Sequence, residues 1–353
     1  MRFADRATRI EVFPGLDALP DDAASLFAAS TTFFSTRAWW ETVLAHALPA
    51  DGEARLLLVR RNGAASALFP MLLDRAGGGF RALTTPYTCL YEPLVAPGIT
   101  DRVLLFGEFA RYCRAFATTR FDSLDRANAA DIAAGGARAG LVAASFDHFG
   151  NWHEDVAGLD WAAWLARRPG ALRETIRRRT RRAERLEDAH FTLYRDRNDI
   201  ASGIAAFETV YARSWKDPEP YPSVNPAQIR AAAELGLARV GIWWIGGTPA
   251  AAQFWIVERD QAMVLKLAHD ETFKAHSPGT VLTAWMIRHM IEQEHVAEVD
   301  FGRGDDAYKQ GWAADRRQRL GLLLINPRRL GGMIALARHG LGRANARFHS
   351  PGG

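Results

Sequence analysis

The chain has 353 residues, 48% hydrophobic and 24% charged, with a formal net charge of +4. That balance excludes a disordered chain, a coiled coil and a collagen, and the length suits two domains or one large one. No apolar run approaches the ~20 residues of a membrane helix, no apolar signal core follows the N-terminus, and Cys89 and Cys113 have no framework or metal-ligand spacing, so a cytosolic, metal-free protein is expected.

The first 150 residues alternate strands and helices. Ile10–Phe13 reads as a strand, and Pro20–Ala29 and Ser35–Ala47 as helices. Glu53–Arg61 and Ala64–Asp74 are apolar strands joined by Asn62-Gly63, a hairpin-turn dipeptide. Gly77-Gly78-Gly79 marks a turn. Helices are predicted over Thr100–Thr118 and Asp131–Ala139, and short strands over Phe121–Leu124 and Val142–Phe146.

A basic segment follows three tryptophans, Trp152, Trp161 and Trp164. Between Pro169 and Leu186 stand Arg173, Arg177, Arg178, Arg179, Arg181, Arg182 and Arg185 against only Glu174 and Glu184. The domain junction is placed here, giving domains over 1–160 and 161–353.

The second half repeats the element order of the first. Phe191–Tyr194 reads as a strand, and Ile200–Lys216 as a helix with Ile204, Phe207, Val210 and Tyr211 on one face. Pro218, Pro220, Pro222 and Pro226 break the chain before a helix at Ala227–Leu237. Val240–Ile245, Gly246-Gly247 and Ala250–Glu258 form a second hairpin, and Met263–Ala268 a further strand. Ser277-Pro278-Gly279-Thr280 opens a helix to about Glu294, with Ser at the N-cap and Pro at the first helical position. Val299–Gly302 and Leu320–Ile325 close the strand pattern.

Of 44 basic residues only Lys216, Lys266, Lys274 and Lys309 are lysines; the other forty are arginines. Coding bias explains the excess. Against that background a retained lysine marks a place suited to a point charge instead of a planar fork. Lys266, beside Leu265 and Leu267, faces either solvent or a substrate groove. The densest chemistry lies in Asp300-Phe301-Gly302-Arg303-Gly304-Asp305-Asp306-Ala307-Tyr308-Lys309-Gln310-Gly311-Trp312, a strand end running into a glycine-rich loop, where sites are commonly built. No nucleophile elbow or phosphate-binding P-loop is present.

Three stretches carry a resemblance: Lys266-Leu267-Ala268-His269-Asp270, Ser277-Pro278-Gly279-Thr280-Val281-Leu282, and the loop from Asp300 to Trp312. Together with the basic helix and the Ser214-Trp215-Lys216 step, they resemble GNAT-superfamily acetyltransferases of the CelD/BcsL (BioF2-like) type, relatives of the FemABX peptidyltransferases. The resemblance is specific over about residues 165–325 and diffuse over 1–150. It implies an α/β fold of two tandem GNAT-like domains, with mixed, mainly antiparallel sheets flanked by helices and the acyl-donor site in the second. It implies acyl transfer from acetyl-CoA to an amine or hydroxyl acceptor, such as a sugar or exopolysaccharide precursor. The alternatives are an aminoacyl-tRNA-dependent transferase and a non-catalytic binding protein.

On this resemblance the acyl donor lies by Ala268, His269, Ser277, Gly279 and Thr280, its pyrophosphate at the helix start, whose amides and dipole favour an anion. The loop departs from the usual Arg/Gln-x-x-Gly-x-Gly/Ala pattern, and Pro278 removes one donor. Lys309 matches a lysine near the acceptor in the FemABX relatives. Tyr308 falls where many GNAT enzymes hold a tyrosine that protonates the leaving thiolate, and Asp305 or Asp306 is placed to orient Lys309 or receive the amine proton. Lys266, Arg303, Trp312, Trp215, Lys216, Arg178 and Arg182 are the implied substrate-binding set. The arginine helix is otherwise a solvated or interdomain-packing face, a small-molecule phosphate or acidic-glycan site, or an RNA contact.

Overall fold

The computed structural model describes residues 8–75 and 77–348, and of 340–348 the backbone only. The chain divides into two compact units, one of Met1–Phe149 with Gln318–Gly353 and one of Gly150–Arg317.

In chain order the first unit holds β1 (Thr8–Phe13), α1 (Ala24–Ala28), α2 (Arg37–His46), β2 (Gly52–Arg61), β3 (Ala64–Asp74), β4 (Phe80–Ala82), β5 (Leu94–Val95), α3 (Arg102–Cys113), β6 (Thr118–Leu124) and α4 (Arg126–Arg138). The chain passes into the second unit along β7 (Val142–Asp155). There follow α5 (Trp161–Ala166), α6 (Gly170–Ala183), β8 (Ala189–Tyr194), α7 (Ile200–Ala212), α8 (Val224–Glu234), β9 (Ala238–Ile245), β10 (Thr248–Glu258) and β11 (Gln261–His269). Next come α9 (Pro278–Glu292), β12 (Glu298–Asp300) and the short α10 (Lys309–Trp312). The chain returns along β13 (Asp315–Ile325) to α11 (Leu330–Phe348) in the first unit.

The expected junction at residues 160/161 differs from this division. β7 does not stop at Phe146 but runs on to Asp155, because polar Asp147, His148 and Asn151 hide its continuation from an apolar pattern. The last strand and helix also belong to the first unit, which no local signal indicates.

The first unit orders its strands β1-β2-β3-β4-β6-β13, with β4 and β6 parallel and the other neighbours antiparallel. Its β2–β3 turn has positive φ at Asn62 (52°) and Gly63 (83°), the two-residue turn that Asn-Gly favours. Phe69 stacks on Phe109 at 4.0 Å with Phe106 at its edge, and Trp39 and Trp40 are also fully buried.

The second unit orders its strands β7-β12-β11-β10-β9-β8, with β11 and β12 parallel and the others antiparallel. Helices α7 and α9 pack on β9–β11. Buried apolar residues of α9 (Val281, Leu282, Met286, Ile287, Met290) meet Trp243, Trp255 and Val299 in one core. Each unit thus joins an antiparallel hairpin to one parallel crossover pair, a mixed α/β sheet flanked by helices. No helix among the described residues is long and apolar enough to cross a membrane.

Two features of β11 position the site. A register shift against β10, with Phe254 opposite Lys266 and Trp255 opposite Val264, leaves Leu265 as a bulge. The strict alternation expected around Lys266 is therefore broken, and the strand is bent and twisted there. β12 pairs with β11 only over Gln261–Met263, so the rest of β11, to His269, runs on past the end of its parallel neighbour.

Candidate active site

A groove of about 370 Å³ opens in the second unit beside the length of β11 that β12 does not cover. Leu267 and His269 of β11 form one wall, and Ser277, Pro278, Gly279, Thr280 and Thr283 of the α9 start another. Trp215, Lys274, Tyr308 and Trp312 complete it. Seven of the expected site residues meet here: His269, Ser277, Gly279, Thr280, Tyr308, Trp312 and Trp215.

The mouth of α9 is built differently from a serine-capped helix. A 3-10 helix, Glu271–His276, runs directly into α9, and Ser277 turns the chain with φ 53° and ψ 52°. It stands at the N-cap with Pro278 as the first helical residue, as expected, but its side chain makes no capping bond. A left-handed serine costs on the order of 1 kcal/mol. The Ser277 carbonyl accepts from the Val281 amide at 3.1 Å, and first-turn amides have no acceptor inside their own helix. The Gly279 and Thr280 amides are thus open to an anion, and glycine lets one approach closely. A Cβ at Gly279 would stand 3.5 Å from the His269 Nδ1.

His269 Nε2 donates to Glu271 Oε1 at 3.0 Å, and the Trp215 ring lies 4.3 Å from its own, centre to centre. Burial lowers the His269 pKa, with Glu271 opposing the shift. Ala268 instead points away from the groove, is buried, and sits opposite Ala252.

The loop after β12 is held by a dense network. Asp300 is fully buried. It pairs with Arg317 and accepts from Asn151 Nδ2 at 2.5 Å and from the Gly302 amide at 2.6 Å. Asp305 accepts from Trp152 Nε1 at 2.7 Å and from Arg316 Nη2 at 2.6 Å. The Arg316 contact holds its carboxyl below the usual carboxylate range, so it is a poor proton acceptor. Lys309 departs most from expectation. It is 4% exposed, and its ammonium donates to the Arg303 carbonyl at 2.8 Å and the Gly304 carbonyl at 3.2 Å, with Asp306 at 3.1 Å. Three donors serve three acceptors. Lys309 staples the loop and has no proton left for an oxyanion, and Arg303 enters that staple through its carbonyl.

Tyr308, one residue earlier, is 45% exposed on the groove wall. Desolvation by that wall, and then the Asp306 carboxylate, raise its pKa, so the phenol keeps its proton at neutral pH.

Lys266 does not line the groove. Its Nζ pairs with Glu219, which also accepts from the Tyr211 hydroxyl. Lys216 lies near this cluster, its Nζ 5.8 Å from the centres of both the Tyr211 and Trp215 rings. Arg178 and Arg182 are exposed on α6 and away from the groove lining. Lys274, Thr283, Tyr211 and Glu219 are additions the sequence reading missed. Lys274 carried a usable signal as one of the four lysines. Tyr211 had been assigned to a helix face, and Glu219 sits in a proline-broken loop without periodicity.

The comparisons agree with this geometry. Residues 170–310 match the family model described as an acetyltransferase (GNAT) domain. Among solved structures the chain is similar to FemX, at 10% identity and TM-score 0.57, covering 90% of this chain and 98% of that one. A C-terminal domain assigned to a lysylphosphatidylglycerol synthetase of Agrobacterium fabrum is similar at 14% identity and TM-score 0.57, covering 90% and 93%. L-PGS from Bacillus licheniformis is similar at 12% identity and TM-score 0.51, covering 84% and 94%. No curated protein matches the chain. Residues 170–310 therefore carry a GNAT domain, the N-acyltransferase fold, within an α/β chain of mixed sheets flanked by helices.

Proposed function

We propose that the chain transfers an acyl group, acetyl in the simplest case, from a coenzyme A thioester to an amine or hydroxyl acceptor. The observation that carries this is the groove between the end of β11 that β12 leaves uncovered and the open amides of α9, with the Tyr308 phenol on its wall. The residues fit such a donor. Gly279 and Thr280 offer amides to a pyrophosphate, Lys274 adds an exposed ammonium on the same wall, and Leu267, Trp215 and Trp312 give apolar walls to a pantetheine arm.

Coenzyme A supplies an activated acyl carbonyl and a thiolate leaving group. The chain orients the donor along β11, excludes water with its tryptophans, and holds a proton at the Tyr308 Oη for the departing sulfur. No covalent acyl-enzyme is invoked, since among the described residues no cysteine or serine paired with a base lines the groove. Sugars and cell-envelope precursors are the acceptor class proposed on the family resemblance, with the two-unit tandem GNAT arrangement and the first unit's part in binding as further proposals.

Thermal unfolding tests the donor assignment. Acetyl-CoA binding only the folded protein raises the midpoint, and Gly279→Glu, which adds bulk and negative charge at the open amides, is expected to abolish most of that rise while unfolding normally without ligand. An equal rise in both proteins would count against the α9 site.

A second reading, an aminoacyl-tRNA donor, has one observation in its favour. On α6, the side chains of Arg177, Arg178, Arg181 and Arg182 make no ion pair or hydrogen bond among the described residues, and at 100° per residue they span an arc of roughly 140°. Such a stripe suits a polyanion. Exchanging Arg178 and Arg182 for Gln is expected to weaken any polyanion bound there, and the loss should shrink at high salt. A loss of the same size at low and high salt would point to packing instead. Stabilisation by aminoacyl-tRNA and none by acetyl-CoA would favour this reading over the first.

A further inference from the structure

Resting on the acyl-transfer reading, we infer that the acceptor carries a carboxylate or phosphate group, and that this anion seats on the Lys216 ammonium between the rings of Tyr211 and Trp215. Lys216 stands close enough to feel the charges of two of the chain's three other lysines, Lys266 and Lys309, and of Glu219 and Asp306. Both of those lysines are matched: Lys266 pairs with Glu219, and Lys309 with Asp306 and two carbonyls. Lys216 has no carboxylate or carbonyl partner among the described residues. Counting Lys216 itself, three ammonium groups stand against the two carboxylates whose charge it feels; Glu208, which feels Glu219, is opposed by Arg230, so the unmatched positive charge sits on Lys216.

The environment of that charge is unusual. Lys216 is only part-exposed, and burial lowers its pKa, followed by the repulsion of Lys266. Two aromatic faces at 5.8 Å ease the desolvation, but a ring face satisfies none of the three N–H donors. A half-buried ammonium walled by rings and lacking an acceptor is poised to take an anion through charge-assisted hydrogen bonds. Its place follows from its neighbour. Trp215 forms part of the donor groove and lies against His269, so an anion on Lys216 would hold the rest of an acceptor near that groove. A neutral acceptor would leave the ammonium as it stands.

The same charge could instead meet a phosphate of the donor, and the experiment separates the two. The protein, saturated with coenzyme A, is titrated calorimetrically with inorganic phosphate, D-glucosamine 6-phosphate and D-glucosamine. The wild type is expected to bind the two anions about tenfold to a hundredfold more tightly than D-glucosamine. Lys216→Gln should erase that difference, Lys216→Arg should restore part of it, and coenzyme A affinity should stay unchanged in both. Lys216→Met, which keeps the apolar stem, serves if the Gln variant is unstable. No preference for anions in the wild type, or an equal preference in the variants, overturns the inference. So does a loss of coenzyme A affinity in Lys216→Gln, which would give Lys216 to the donor phosphates. A wild type that binds no coenzyme A would instead sink the acyl-transfer reading itself.

Discussion

Tyr308→Phe is expected to lower turnover about 10²–10⁴-fold, the usual cost of removing a positioned general acid. The substitution deletes one hydroxyl from a ring that is 45% exposed on the groove wall, so packing and donor affinity should barely change. The raised phenol pKa, caused first by desolvation and then by Asp306, keeps the proton available through neutral pH. Loss of kcat with an unchanged Kd for coenzyme A is the expected signature. Retention of most wild-type turnover would remove Tyr308 from the chemistry and leave the thiolate to take its proton from water.

Arg168→Met is expected to destabilise the protein by about 3–5 kcal/mol, the largest effect on stability we anticipate. Arg168 and Glu154 have side chains only 2% and 3% exposed, paired through Arg168 Nη2 and Glu154 Oε1. Arg168 also donates to the carbonyl of Trp312 and lies over the Trp164 ring at 4.5 Å. Methionine fills much of the same volume but leaves the buried carboxylate with only the longer Arg167 contact, 3.7 Å at Oε1, and Glu154 Oε2 already has no hydrogen bond. Adding Glu154→Leu should recover most of the loss, because removing both charges avoids the stranded one. Chemical denaturation of the single and double variants measures this. A single-variant loss below about 1 kcal/mol, or no recovery in the double, would contradict the account. Since Arg168 holds the Trp312 carbonyl at the edge of the groove, donor affinity should weaken in the single variant too.

Where the chain signals locally, the sequence was legible. Asn62-Gly63 and Gly246-Gly247 specify their turns through positive φ, and the proline after Ser277 marks the first residue of α9. The groove was also legible in part, because the strand, the helix start and the loop that form it are each distinctive stretches, and the family resemblance bound them together. The rest depends on contacts between distant residues. Nothing near Leu265 announces a bulge, which is set by pairing with β10. Nothing near Lys309 tells that its ammonium turns inward to the Arg303 and Gly304 carbonyls, although Gly304 at φ 105° shapes that pocket. A lysine in a glycine loop looks like a free charge until the loop closes on it. Asp305 misleads for the same reason, since Arg316 and Trp152 reach it from separate segments. Glu219 enters the site only because a proline-broken loop carries it to Lys266, 47 residues away in sequence.

Hydrogen exchange with and without acetyl-CoA tests the central claim most directly. The claim is that an acyl donor lies between the free length of β11 and the open amides of α9. Ligand should slow exchange at the Gly279 and Thr280 amides and along Leu267–His269, in the folded full-length protein. Protection confined to the first unit, or none in residues 264–283 while acetyl-CoA is bound, would contradict it.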